Sequence, residues 1–306
     1  MTLTELRYVV ALARERHFGR AAESCFVSQP TLSVAIKKLE EELELKIFER
    51  GSAEVGVTPL GEEIVRQAQT VIEMAAGIKE TAKRGKDPLA GAIRLGLIYT
   101  IGPYLLPALV RQAIKRVPQM PLVLQENFTV RLLEMLRSGE LDCAILAEPF
   151  PDSGLAVAPL YDEPFMIALP RTHRLAARES ISSEELKRET MLLLGTGHCF
   201  RDHVLDVCPE YARFSSSAEG MRKSFEGSSL ETIKHMVASG MGVTVVPQLS
   251  VPHEKQPHVV YVPFGPPVPA RRVVLVWRRS FPRYEAIAAL RNTIYACKLD
   301  GVKRLS

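Results

Sequence analysis

The sequence predicts an α/β protein in two parts: a helical N-terminal module continued by one long helix, and a larger C-terminal region of alternating strands and helices. Three observations carry this. Through about Arg84 apolar residues recur at helical spacing, interrupted by one short hairpin-like segment. From Gly91 short β-branched runs alternate with helical stretches, the pattern of a mostly parallel sheet covered on both faces. A chain of 306 residues is also too long for one typical domain.

The elements follow in order. Residues 4–15 place Leu6, Val9, Val10 and Ala13 on one helical face. Gly19 and Arg20 lead into a small-residue helix at residues 21–25. Ser28 is placed to cap a third helix by accepting the Thr31 amide, and Pro30 fits its first turn because no intrahelical N–H is lost there. Leu32, Ile36, Leu39 and Leu43 form the buried stripe of that helix. Its other face carries Ser28, Gln29, Pro30, Thr31 and Ser33 at the start, then Lys37 and Lys38. Short polar groups at the helix start suit base edges, and cations behind them suit phosphates. The acidic run Glu40-Glu41-Glu42 is expected at the rear, away from DNA. Residues 46–58 read as a short wing hairpin, with Arg50 either a phosphate or minor-groove contact or a solvated arginine. Residues 1–90 hold 13 Lys and Arg against 14 Asp and Glu, so any DNA affinity comes from where the charges sit.

Several runs in this stretch occur in a shared order: Phe18-Gly19-Arg20-Ala21-Ala22, Ser28-Gln29-Pro30-Thr31-Leu32-Ser33, Leu39-Glu40, Leu45, Phe48-Glu49-Arg50 and Thr58-Pro59-Leu60-Gly61. Together they resemble the LysR-type transcription regulators. The resemblance implies a winged helix-turn-helix over 1–58, a pseudo-palindromic double-stranded operator, and contact with RNA polymerase.

Thr58 and Pro59 open a helix that runs without a breaker to about Arg84. Ile64, Val71 and Ile78 recur every seven residues, with Ala68, Ala75 and Ala82 between them. This is the seam of a coiled coil, or else a helix packed on its own chain; the repeat favours the dimer seam. The linker and dimerisation helix is set at 59–87, with Gly85-Lys86-Asp87-Pro88 as the hinge. The family resemblance adds a homotetramer built as a dimer of dimers.

The remainder, 88–306, alternates strands at 93–98, 122–125, 143–146, 165–169, 191–194, 243–247 and 272–277 with helices at 103–116, 130–138, 229–239 and 283–297. The order resembles the two-lobed, periplasmic-binding-protein-like effector domain of LysR-type regulators. That implies lobe I at 91–162 plus 268–306 and lobe II at 163–267, with a cleft between them. Ser228-Ser229-Leu230-Glu231-Thr232 reads as a helix N-cap, or as a holder of a ligand carboxylate in an effector-binding relative.

The most informative stretch is Gly195-Thr196-Gly197-His198-Cys199-Phe200-Arg201-Asp202-His203, followed by Cys208-Pro209. It follows a buried strand and opens a helix, so Cys199 sits near a helix N-terminus with His198 and Arg201 close in sequence. Helix amides and cations favour thiolate over thiol. Were residues 199–208 continuous helix, their Cα atoms would lie roughly 13 Å apart, whereas a disulfide tolerates less than about 7 Å. Such a pair could bond only after the segment refolded. His198, Cys199, His203 and Cys208 admit a metal site as an alternative, although standard zinc spacings are absent. His203 otherwise reads as a surface side chain, and Cys25, Cys143 and Cys297 as small buried hydrophobes.

Gly-His-Cys-Phe-Arg-Asp followed by Cys208 resembles the OxyR branch of the LysR family, the hydrogen-peroxide sensors. By that resemblance Cys199 is the peroxidatic cysteine and Cys208 the resolving one. Thr100, Thr129 and His198 are the polar groups around peroxide, and Arg201 stabilises the thiolate. The alternative is the same scaffold switched by a small organic effector in the interlobe cleft. A thiol enzyme is the third class. The chain offers it no CxxC, no nucleophile elbow and no second catalytic constellation, so a non-enzyme is expected, with no cofactor and no metal.

Composition narrows the setting. Five cysteines in a chain this long argue against a secreted disulfide framework. No run approaches 18 uncharged apolar residues and no signal-peptide pattern opens the chain, so a cytoplasmic protein away from membranes is expected. The net charge of +4 tilts only weakly toward an anionic partner.

Overall fold

The structure is a computed structural model that describes residues 1–50, 55–83, 87, 89–151, 154–211, 224–227 and 229–305; Arg50 and residues 79–83 and 224–226 are described by backbone alone. The expected wing tip, most of the expected hinge, and Ser228 lie outside the described residues.

Three helices open the chain: α1 (Leu3–Glu15), α2 (Phe18–Ser24) and α3 (Gln29–Glu42). Each start is fixed by a side chain that accepts an orphan amide. Thr2 and Glu5 form a capping box, with Glu5 N donating to Thr2 Oγ1 at 3.2 Å and Thr2 N to Glu5 Oε2 at 2.7 Å. His17 Nδ1 accepts from Gly19 N and Arg20 N at 3.1 and 3.3 Å, so α2 begins three residues before the small-residue run that announced it. Ser28 accepts from Thr31 N at 3.3 Å, as expected. Leu12, Leu32 and Leu39 are fully buried between the three helices. Each such side chain contributes about 1.5–3 kcal/mol of burial.

The wing is the antiparallel pair β1 (Phe48–Arg50) and β2 (Val55–Val57). Glu40, expected at the rear and away from DNA, has a structural role there. It is buried, and its Oε1 accepts from Ile47 N at 2.9 Å and Phe48 N at 3.0 Å, while Lys46 pairs with Oε2 at 3.1 Å. An acid with two amide donors and a cation is stable in the interior, and it ties the end of α3 to the wing. Thr58 then caps α4 (Pro59–Lys83), accepting from Gly61 N at 2.9 Å. A Cβ at Gly61 would run into the Ile47 carbonyl, so only glycine lets α4 start there.

The heptad stripe of α4 divides. Ala68 is 3 % exposed and packs into the N-terminal core, which corrects its assignment to the seam. Val71 and Ile78 are 42 % and 73 % exposed, beside an exposed Met74. Farther along, Glu73 is buried against the next region: its carboxylate pairs with Arg278 Nε at 2.6 Å and accepts from Ser280 Oγ at 2.6 Å.

The C-terminal region is built on β3 (Ile93–Ile98), β4 (Leu122–Asn127), β5 (Cys143–Ala147), β6 (Leu155–Pro170), β7 (Met191–Leu194), β8 (Ser224–Gly227), β9 (Thr244–Pro247), β10 (Val259–Pro263), β11 (Ala270–Arg278) and β12 (Lys303–Arg304). The helices between them are α5 (Gly102–Arg116), α6 (Thr129–Arg137), the short α7 (Ser183–Leu186), α8 (Cys199–Val207), α9 (Leu230–Ala238) and α10 (Tyr284–Tyr295). β4, β3 and β5 are parallel neighbours, and β11 runs antiparallel to β5.

β6 is the organising strand. Its residues 155–164 pair with β11, and its residues 165–170 pair with β9 and β10. One continuous strand of 16 residues therefore serves two cores. The first gathers residues 93–161 and 273–297, the second residues 165–264. The sequence reading placed a strand only at 165–169 and none at 259–263. In the second core β7 is parallel to β8, and a bridge at Met191 and Val243 joins β7 to the approach of β9. The first core includes Cys143 and Cys297, both fully buried.

Candidate redox site

Cys199 and Cys208 stand at the two ends of α8. Both are free thiols. His198 is the N-cap of the helix and Cys208 its C-cap. Cys199 is partly buried and packs against the first core; Cys208 is fully buried in the second. The helical geometry is the one that keeps the two sulfurs apart, since nine residues of α-helix rise about 13 Å.

Around Cys199 the structure brings together residues from four elements. Thr100 follows β3, Thr129 opens α6, and both hydroxyls are buried. With His198 they bound a cavity beside the sulfur that leaves about 10 Å³ for the centre of a water-sized molecule. The Thr129 hydroxyl makes no full hydrogen bond with the described residues and lies close enough to the sulfur to favour its thiolate. The outer wall is aromatic. The rings of Phe128 and His198 meet edge-to-face at 4.8 Å, and Tyr99 touches both at 5.3 and 5.8 Å. Gly197 turns the chain at φ +99° with Phe128 packed against it, a conformation and a closeness that favour glycine.

The electrostatics differ from the expectation drawn from neighbours in sequence. Burial is the largest effect on Cys199 and pushes its thiol up; Thr129 and then Arg271 act in the opposite direction. A cation that favours the thiolate is thus Arg271, from β11, which the sequence reading did not name. Arg201 is buried and donates to the Leu194 carbonyl at 2.9 Å, which fastens α8 to the end of β7. Arg271 is held in place through all three of its nitrogens. Its guanidinium pairs with Glu163 at 2.8 Å, donates to Thr100 Oγ1 at 2.7 Å and to the Thr100 carbonyl at 2.8 Å, and lies over the Phe200 ring at 5.1 Å. Glu163 also accepts from Leu249 N at 2.9 Å. Sequence reasoning missed Arg271, Glu163, Tyr99 and Phe128, because each meets the site through long-range folding.

His203 is a further correction. It is half-buried rather than a surface side chain: it lies beside the paired rings of Phe165 and Phe200, and its Nε2 meets the Glu148 carbonyl at 2.8 Å. The ring is therefore engaged with a backbone oxygen, and among the described residues no group of His, Cys, Asp and Glu is arranged to hold a metal. Across the same cleft the Tyr104 hydroxyl donates to Glu231 at 2.7 Å, and Lys234 joins that carboxylate at 2.8 Å. Ser229 caps α9 by accepting from Thr232 N at 3.2 Å, the simpler of its two readings.

At the other end of the chain, Ser28, Gln29, Pro30 and Thr31 are exposed at the start of α3, with Ser33 half-buried. Ser28 and Thr31 hydroxyls hydrogen-bond each other at 2.8 Å. Lys37 is exposed and 3.5 Å from Glu41. The side chain of Arg50 lies outside the described residues.

Two family models match the chain in the order of these parts. Residues 3–62 match the bacterial regulatory helix-turn-helix protein of the lysR family, and residues 86–296 match the LysR substrate binding domain. The chain belongs to the LysR family of bacterial helix-turn-helix regulators. Within that family its similarity runs to proteins that bear the name OxyR or hydrogen peroxide-inducible genes activator. It is 42 % identical over 292 residues to the activator of Pectobacterium carotovorum, covering 94 % of this chain and 95 % of that one. It is likewise 42 % identical to the DNA-binding transcriptional dual regulator OxyR of Escherichia coli K12, over 94 % of each chain. A solved full-length OxyR variant from Pseudomonas aeruginosa superposes with a TM-score of 0.81 at 50 % identity, covering all of this chain and 98 % of that one.

Proposed function

We propose that the chain is a peroxide-sensing, DNA-binding transcription regulator of oxidative-stress genes, switched by oxidation of Cys199 and by a Cys199–Cys208 disulfide. The observation that carries this reading is the cavity at the Cys199 sulfur. Its remaining space, about 10 Å³ for the centre of a water-sized molecule, is on the scale of one water, and the buried Thr129 hydroxyl lines it beside the sulfur. An organic effector of drug-like size needs hundreds of Å³, and Tyr104, Glu231 and Lys234 close the cleft beside it.

The chemistry follows from these groups. The Cys199 thiolate attacks one peroxide oxygen; the S–O bond forms as the O–O bond breaks. Sulfur is oxidised to sulfenic acid, and the leaving hydroxide takes a proton to become water. The Cys208 thiolate then attacks the Cys199 sulfur; S–S forms as S–O breaks, and the hydroxide released takes a proton to become a second water. Thr100, Thr129 and His198 hold the peroxide, and Arg271 holds the charge on sulfur. Arg201 positions the helix that carries it. Each chain reacts once per signal without turnover, so the protein is a regulator and not an enzyme.

The reading divides the chain into a winged helix-turn-helix at 1–58, a linker and dimerisation helix at 59–87, and a redox-sensing domain at 88–306. Ser28, Gln29, Pro30, Thr31, Ser33, Lys37 and Arg50 face operator DNA. The exposed stripe of Val71, Met74 and Ile78 pairs with a second copy, and dimers join as tetramers that meet RNA polymerase in the cytoplasm.

Peroxide titration of the reduced protein with non-reducing peptide mapping tests the redox half. A Cys199–Cys208 disulfide at low peroxide, lost in Cys199→Ser, is the expected result. Two free thiols after peroxide exposure would return attention to an organic effector. The DNA half predicts affinity falling with salt, with a log–log slope of about −0.9 per neutralised phosphate; operator binding indifferent to salt would count against it.

A further inference from the structure

The helix that carries both cysteines is docked on the opposite core by two residues one turn apart. Cys199 and His203 are i and i+4 on α8, so both point to the same side. Cys199 packs into the first core beside Thr129, and His203 Nε2 reaches the Glu148 carbonyl at the end of β5 at 2.8 Å. The rest of α8 faces the other way: Phe200 and Val204 are buried in the second core, and Cys208 ends the helix there. A carbonyl oxygen only accepts, so His203 carries its proton on Nε2 and donates it. Nδ1 is then bare and buried, with no partner among the described residues. Burial holds the imidazole below its usual range, consistent with a neutral ring. The acceptor is itself immobilised, because Glu148 N donates to the Arg272 carbonyl at 3.0 Å.

We infer that His203 is a positioning residue: its bond to the Glu148 carbonyl latches α8 onto the first core and sets how readily oxidised Cys199 proceeds to the disulfide. The inference rests on the peroxide reading above. A bond between Cys199 and Cys208 requires their Cα atoms to close from about 13 Å to less than about 7 Å. Cys208 is anchored in the second core by its burial and by its neighbour Tyr211, whose hydroxyl shares its one proton between the Leu186 and Glu189 carbonyls. The Cys199 end must therefore travel. His203 lies inside the stretch that changes course, and its contact is given up in the oxidised form. The latch stabilises only the dithiol and sulfenic states, so losing it favours the disulfide.

The test uses the full chain in three forms: wild type, His203→Leu, which fills the apolar slot without a donor, and His203→Gln, which restores one. Sulfenic acid formation is read by mass spectrometry in a Cys208→Ser background, and disulfide closure by rapid acid quench in the parent. A neutral hydrogen bond corresponds to a two- to tenfold change. Closure should be about two- to tenfold faster in His203→Leu and near the wild-type rate in His203→Gln. The reduction potential of the pair should move about 10–30 mV more negative in His203→Leu, at about 30 mV per tenfold. Equal closure rates in all three proteins, or equal acceleration in both variants, would overturn the latch while leaving the peroxide reading intact. Absence of sulfenic acid at Cys199 would overturn both. Should His203→Leu not fold, ¹⁵N-histidine spectra of the wild type decide: the Nε2–H tautomer in the reduced protein must give way to a solvent-averaged ring on oxidation, and an unchanged ring overturns the latch.

Discussion

Cys199 and Cys208 are the same residue type at opposite ends of one helix, and their surroundings could hardly differ more. Cys199 abuts a small polar cavity, with Thr129 and Arg271 acting against the cost of burial. Cys208 lies in apolar surroundings beside Glu210, and its thiol is pushed up to about 12 by burial first and that carboxylate second. The contrast teaches that nucleophilicity here is distributed in time. At the first sulfur Thr129 and Arg271 act against burial in the folded state, although the thiol stays above its usual value; the second is kept inert until the helix lets it go.

The comparison can be broken most severely by alkylation. In native reduced protein at pH 8, Cys208 should react with iodoacetamide on the order of a thousandfold more slowly than a free thiol, because a thiol titrating near 12 is thiolate only about one part in ten thousand there. Equal labelling of the two sites would erase the distinction. The sign of its pH dependence also follows. A thiol whose folded value is raised above the unfolded one contributes stability that is fully present below about pH 9 and is lost as pH rises toward 12. Cys208→Ala should flatten that alkaline loss in denaturant titrations.

A second, smaller effect tests the prepared end. Arg271→Leu leaves the Glu163 carboxyl in the interior without its cation, where both partners are fully buried. Breaking such a pair costs about 3–5 kcal/mol. The denaturation midpoint should fall accordingly, and Cys199 oxidation should slow at the same time. Oxidation at the wild-type rate in a folded Arg271→Leu protein would remove Arg271 from the chemistry. The smallest effect is expected of Thr129→Val, which keeps shape and deletes one hydroxyl. Stability should change little, since that hydroxyl makes no full hydrogen bond, while Cys199 oxidation should slow by up to about tenfold. Below the thiol's own pKa, the rate in either protein should rise with pH as thiolate accumulates.

The N-terminal helices, their caps and the alternation of strands and helices were legible in the sequence because each is written within a few residues. Ser28 and Thr31, or Thr58 and Gly61, meet at spacings of three. β6 was mostly illegible because Pro159 and Pro164 interrupt its pattern, although the strand runs through both and changes partners on the way. The redox site was half legible. His198, Cys199 and Cys208 are local to α8, and Thr100 and Thr129 came through family resemblance. Arg271 and Glu163 are separated by 108 residues and meet only because β11 lies against β6. No local spacing could have pointed to Arg271. His203 fell to the opposite error: it was read as a surface side chain, whereas it is half-buried around a specific backbone partner.

Glu40 has a consequence of its own. By gripping Ile47 and Phe48 it makes the reading helix and the wing a single rigid jaw before any DNA arrives. Such a jaw cannot adjust one contact to rescue the other, so a misfit at either edge of the half-site is felt by both. On the dimeric reading proposed above, a signal from the sensing domain would act by moving whole jaws, changing the span between half-sites rather than the letters read within each.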